Sequence, residues 1–266
     1  MNNLVFGKYL PLDTPIHRLD PRTKLLAVFL MLVSIFVPDS WYAYAFLFVF
    51  LLLTVLLAGL KLKMLIKSFK PMVFMMVFLM VVNCLTIKTG AVICSLGSFA
   101  IYSDAVFNTL FIVVRLFLMI MATTCLTATT KPLDLTLGLE SAFKPFKKIG
   151  FPAHEVAMMI SIALRFIPTI IEETMRIMNS QKSRGVDFEE GKLKEKIRAI
   201  LSLIVPLFSV AFQRAYELAD AMEARGYIPG KERTRYRVLH YTSADYITML
   251  ICLMVTALMV ASRFAL

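Results

Sequence analysis

Uncharged apolar runs alternate with short charged clusters along the first half of the chain. Leu25 to Pro38 carries no charge over 14 residues, and Asp20-Pro21 ahead of it has the form of a helix start, with Asp20 as N-cap and Pro21 in the first turn. A helix beginning at Pro21 lets Arg22 and Lys24 reach to the interface. Ser40 to Leu60 gives 21 uncharged residues, opened by Trp41, Tyr42 and Tyr44 in the manner of an interfacial aromatic belt. Pro71 to Ile87 is a third run, of 17 residues; a fourth lies at about Ala105–Ala128 and a fifth at about Ala244–Ala261. A bilayer core takes about 20 apolar residues, so these predict five transmembrane helices. Pro38-Asp39-Ser40 reads as a tight turn. The stretch from Lys88 to Asp104, with Gly90, Gly97 and three serines, fits an outer loop or a partly re-entrant segment.

The pattern changes between the fourth and fifth runs. Residues 131–240 hold 18 Lys+Arg and 13 Asp+Glu and predict three helices, about Pro132–Lys147, Pro152–Ser183 and Lys192–Ala224. Between Glu155 and Glu172 the only charge is Arg165, and between Arg198 and Gln213 there is none. Such runs are too short for a span and too apolar for water. Pro168 and Pro206 fall near the middles of the two long helices and are expected to bend them. Both helices stop the same way, in Ser183-Arg184-Gly185 and in Ala224-Arg225-Gly226, 41 residues apart. Glycine past the last turn is the usual left-handed cap, and a cation there suits the negative end of the helix dipole.

The expected fold is thus an all-α integral membrane protein. It has about five transmembrane helices plus a cytoplasmic domain of three helices, two of them long and bent. The membrane domain covers 1–130 with spans one to four, the three-helix domain with its two X-Arg-Gly ends 131–240, and the final transmembrane helix 241–266.

Composition agrees. Of 266 residues 59% are hydrophobic and 18% charged, yet the net charge is +11. An apolar, basic chain implies an integral membrane protein with a basic cytoplasmic face; the lipid bilayer, and no nucleic acid, is expected among its partners. The N-terminal segment and the cluster Lys61–Lys70 carry eight Lys+Arg, against Lys88 alone in the two intervening turns. The N-terminus and the 131–240 segment are therefore expected in the cytoplasm and the C-terminus outside, across the plasma membrane. The first 24 residues hold Pro11, Pro15 and Pro21 and no short apolar core with a cleavage site, so no signal peptide is expected. Cys84, Cys94, Cys125 and Cys252 are far apart and read as small apolar residues.

Catalytic motifs do not emerge. There is no Gly-x-x-x-x-Gly-Lys-Ser/Thr phosphate loop, His154-Glu155 has no second histidine three residues on, and no serine lies in a Gly-x-Ser-x-Gly elbow. His17, His154 and His240 are scattered. Arg115, in the middle of span four, is the notable in-membrane charge and a functional candidate by its depth. Facing polar groups of a neighbouring helix is the equally good alternative, with Asn83, Thr123, Thr124 and Thr127 as candidates.

The paired motifs at 183–185 and 224–226 resemble the two X-Arg-Gly motifs of the transmembrane coupling (T) component of energy-coupling-factor transporters. The segment Leu19-Asp20-Pro21-Arg22-Thr23-Lys24-Leu25-Leu26 is similar to the family's N-terminal pattern. So are Arg165-Phe166-Ile167-Pro168 and Ala221-Met222-Glu223. Ser183 stands where alanine is also common. The resemblance implies a non-catalytic scaffold of an ABC-type importer with no cofactor of its own. Two cytoplasmic ATPase subunits bind ATP and dock at Ser183, Arg184, Gly185 and at Ala224, Arg225, Gly226. A membrane-embedded substrate-binding S component, which chooses the vitamin or micronutrient, packs on apolar faces that include Val205, Phe208 and Pro168. The cobalt or nickel version of the same module stays open. So does a multi-span transporter that binds its own substrate, although no polar cavity constellation and no inverted repeat favours it.

Overall fold

The computed structural model describes residues 9–38, 40–96, 99–143, 152–188, 190–228 and 239–265. They fall into two compact units, Met1–Ala142 with Leu239–Leu266, and Phe143–Val238.

In the first unit, short α1 (Pro15–Arg18) leads into α2 (Pro21–Phe36), followed by α3 (Trp41–Leu57). A basic helix, α4 (Leu62–Phe69), continues through a 3-10 turn, Lys70–Met72, into α5 (Val73–Thr86). The turn sits at Pro71, which has no N–H to give to a helix. A hairpin of β1 (Val92–Leu96) and β2 (Phe99–Tyr102) precedes α6 (Ser103–Thr129), α7 (Pro132–Phe143) and, after the second unit, α10 (Ser243–Ala265). Helix α6 is the central post, with α2, α3, α4 and α5 packed on it, while α10 packs on α2. Ile35, Tyr44, Leu47, Val55, Leu118 and Met121 are all but fully buried at these junctions.

All five expected spans fall on helices. Leu62–Thr86, Ser103–Thr129 and Ser243–Phe264 are long and apolar enough to cross a membrane, and Trp41–Leu57 is a shorter apolar helix. At 1.5 Å per residue the 16 residues of α2 span roughly 24 Å. Helix α8 of the second unit, over His154–Ser183, meets the same length and composition test. The sequence placed it outside the bilayer because Arg165 and the flanking acids interrupt its apolar run.

Three expectations change. The 88–104 stretch contains an antiparallel hairpin, with Val92 opposite Tyr102 and Leu96 opposite Phe99. It is closed at its base by the Ser103 N–H on the Ala91 carbonyl at 2.8 Å. Gly97, like Asp39 of the turn before α3 and Lys144–Lys147 at the end of the first coupling helix, lies outside the described residues. Tyr44 is not a belt residue: it is 1% exposed, and its phenol oxygen accepts from Arg115 Nε at 3.1 Å and Nη2 at 2.8 Å. Asn83 donates to Thr109 Oγ1 at 3.1 Å, while Thr123 and Thr127 donate back to carbonyls of their own helix.

One end of the bundle is tied by polar contacts to buried backbone. Asp20 caps α2, its Oδ1 accepting the Arg22 N–H at 2.9 Å. Asp245, fully buried, accepts the Asp20 N–H at 2.8 Å and the Thr242 N–H at 2.8 Å, so one carboxylate serves the starts of both α2 and α10. Lys24 Nζ donates to the His17 carbonyl at 3.1 Å and to the Thr129 carbonyl at 2.9 Å. Helix α7 closes this end. Gly138 packs close to the start of α2, where a Cβ would stand 2.9 Å from Leu25 Cδ1, the movable end of a side chain, and 3.4 Å from the Pro21 carbonyl. The N-terminal pattern Leu19–Leu26 is thus the knot of this end of the membrane unit.

Paired helix ends as a candidate docking site

The second unit is built on α8 (Ala153–Ser183) and α9 (Leu193–Ala224), packed on each other. Helix α9 starts on Lys192, whose N–H is accepted by Glu195 at 2.9 Å, the backward half of a capping box. Pro168 and Pro206 lie inside α8 and α9.

The two C-termini are made alike, bond for bond. At the end of α8 the Gly185 N–H donates to the Lys182 carbonyl at 3.0 Å and the Val186 N–H to the Gln181 carbonyl at 3.0 Å. At the end of α9 the Gly226 N–H donates to the Glu223 carbonyl at 2.8 Å and the Tyr227 N–H to the Met222 carbonyl at 2.9 Å. Both are Schellman caps, with the arginine as the C-cap residue. Gly185 has φ +86° and Gly226 φ +74°, where an L side chain is strained. A Cβ at either would meet nothing within 4 Å. The left-handed turn, not crowding, demands glycine, and the space beside each cap is open.

Arg184 and Arg225 are exposed, and among the described residues neither guanidinium has a hydrogen-bond or ion-pair partner. Ser183 spends its hydroxyl on the Asn179 carbonyl at 3.1 Å, and Ala224 has none to spend. Each end thus presents a planar cation on a small, rigid cap. A guanidinium so placed is fit for a bidentate carboxylate contact with another molecule.

The expected apolar contact residues are exposed too. Val205 is 65% and Phe208 60% exposed, and Pro168 is exposed on α8. The structure extends this set beyond the sequence analysis. Ile197, Leu201, Phe212 and Tyr216 are also exposed, at the three- and four-residue steps that share one helix face. Phe208 stacks on Phe212 with centroids 6.3 Å apart. Helical spacing around Val205 was the signal for them; the charges beyond Arg198 and Gln213 hid it.

These features define a multi-span membrane protein carrying a separate helical unit with two matched, arginine-tipped ends. A family model, described as cobalt transport protein, matches residues 13–236. The energy-coupling factor transporter transmembrane protein EcfT of Bacillus subtilis is 42% identical over 259 residues, covering 97% of this chain and 98% of its own. That of Thermosediminibacter oceani is 43% identical over 264 residues, 99% of each chain. EcfT 1 of Listeria monocytogenes is 41% identical over 263 residues, again 99% of each. The chain belongs to this family of energy-coupling factor transporter transmembrane proteins, as the paired motifs led us to expect, and is the T component of such a transporter.

Proposed function

We propose that this T component couples two cytoplasmic ATPase subunits to a membrane-embedded, substrate-binding S component that imports a vitamin or similar micronutrient. One ATPase docks on Ser183-Arg184-Gly185 and the other on Ala224-Arg225-Gly226, each arginine entering a carboxylate-bearing pocket. The apolar stripe of α9 around Val205 and Phe208, with Pro168 on α8, receives the S component. ATP is bound and hydrolysed by the partners, and this chain has no catalytic role. The N-terminus and the 131–240 segment face the cytoplasm and the C-terminus lies outside.

The observation that carries this reading is the duplication, on two packed helices, of one capped arginine end whose guanidinium has no partner among the described residues. A single such end is an ordinary helix terminus. Two with the same hydrogen bonds, open glycines and exposed guanidiniums suit a pair of related partners. The test is co-purification of both ATPases with the chain, and uptake in proteoliposomes, for Arg184→Ala, Arg225→Ala and the double variant. Each single change lowers transport. The double variant loses the ATPases or uncouples their hydrolysis from uptake. A double variant that holds both ATPases and transports normally sinks the proposal. The family model's cobalt description supports a second reading, a divalent metal as cargo; uptake of cobalt by the assembled complex decides for it.

A further inference from the structure

Helices α8 and α9 face each other across complementary rows. On α8, Ile162, Phe166 and Ile170 recur every four residues; on α9, Ala211, Ala215 and Ala219 do the same, and both rows line one cleft of about 320 Å³. Bulky against small side chains lets one ridge enter the other's groove, and the two rows line a cleft that is open to the surface.

One carboxylate beside this cleft is shared by two guanidiniums. Glu173 on α8 lies 3.5 Å from Arg176 Nη1 on its own helix and 3.8 Å from Arg214 Nη2 on α9. The Glu173 side chain is only 14% exposed, and Arg214 lines the cleft. The Nε–H of Arg214 is buried without a hydrogen-bond partner. Glu173 and Arg214 form an ion pair with no hydrogen bond between them. A carboxylate accepts two parallel N–H groups of one guanidinium at about 2.8 Å, and an approach of about 1 Å here would complete that pair. A buried donor with no acceptor disfavours the open form, and a change of crossing at the cleft would bring the two groups together.

The position along each helix gives the pair leverage. Glu173 stands ten residues before Ser183, and Arg214 ten residues before Ala224. At 1.5 Å per residue both arms are roughly 15 Å. A change of crossing at this point moves both ends alike.

We propose that Glu173 and Arg214 form a brace across α8 and α9 that sets the separation of the two motif-bearing ends, loose as seen here and bidentate when the cleft closes. What the brace is used for rests on the docking function proposed above; the brace itself is a property of the chain alone. Glu173 and Arg214 are positioning residues, and Arg176 holds the carboxylate while the brace is loose.

Two measurements test this. In the full chain in nanodiscs, with its cysteines replaced and spin labels at positions 179 and 220, Glu173→Gln and Arg214→Gln broaden the distance distribution. The charge reversal, Glu173→Arg with Arg214→Glu, narrows it again. In the complete transporter with both ATPases and the S component, the single variants keep ATP hydrolysis near the wild-type rate. Uptake per ATP falls about tenfold, a normal size for coupling between sites, and the reversal recovers most of it. Distance distributions unchanged in the single variants, or a reversal no better than either single, overturn the brace. Altered distances with unaltered uptake per ATP overturn its coupling role. If the wild-type chain binds no ATPases while the distances respond as stated, the docking function fails and the brace stands.

Discussion

Two N–H groups of Arg115 on α6 converge on the phenol oxygen of Tyr44 on α3, from 3.1 and 2.8 Å. The guanidinium also lies 5.6 Å from the centre of the Phe36 ring on α2. A cation in the middle of span four thereby gathers α2 and α3 onto the central helix, the structural alternative to a transport role. Tyr44→Phe removes the shared acceptor and leaves the ring in place. A hydrogen bond to a charged group contributes about 1.5–3 kcal/mol, so the variant should unfold at a lower temperature in detergent. An unchanged midpoint would show that this contact does not hold the bundle.

Asp245 gives a second stability prediction. Asp245→Ala leaves the N–H groups of Asp20 and Thr242 without their acceptor. Each buried donor so exposed costs about 1–3 kcal/mol. Asp245→Asn keeps one oxygen and should fall between wild type and alanine in thermal midpoint. Equal midpoints for all three would exclude the double cap.

Phe208→Asp tests the apolar stripe. A carboxylate at the centre of a dry interface is desolvated with no partner. Binding of the S component should fall while both ATPases still co-purify. Loss of both together would locate the damage in the folding of the α8–α9 unit instead.

His17 makes the N-terminal knot sensitive to pH. Its Nδ1 is 2.7 Å from the Thr14 hydroxyl and its Nε2 3.0 Å from the Leu10 carbonyl, which requires the proton on Nε2 and suits the neutral ring. Burial holds its pKa below the ordinary 6.5. The unfolded chain therefore takes up a proton first as pH falls. The contribution is fully present above about 6.5 and is lost between there and the lower folded value. Thermal midpoints measured from pH 7.5 down to 5 should drop less for His17→Gln than for wild type. Parallel curves would remove His17 as the cause.

The helix ends were legible in the chain because their chemistry is local. Asp20-Pro21, Arg184-Gly185 and Arg225-Gly226 each state a cap within two residues, and the structure has caps at all three. Faces of the spans were not legible. In water a buried face is apolar and an exposed face polar, but a lipid-facing Phe74 and a core-facing Leu47 are equally apolar, so periodicity carries little information. Tyr44 was misplaced for that reason: an aromatic near a span's start suits both a belt and a polar joint with a distant Arg115. The hairpin at 92–102 does have a sequence signature, the pair Gly97-Ser98 between two short apolar runs, but in so apolar a chain short apolar runs read equally well as membrane segments. Asp245 went unnoticed because its partner is 225 residues away.

The pairing of α10 with α2 fixes an order of assembly. Besides the Asp245 cap, Ser34 on α2 donates to Thr256 Oγ1 on α10 at 2.9 Å. At roughly 5–20 residues per second of synthesis, the partner of Asp20 emerges some ten to fifty seconds after it. Throughout that interval the Asp20 N–H at the start of the first span lacks its acceptor, and the Ser34 hydroxyl has only the Leu30 carbonyl of its own helix, while the whole α8–α9 unit is made. The bundle closes only when the final helix arrives, so a chain that stops short of α10 is left with an open seam along its first.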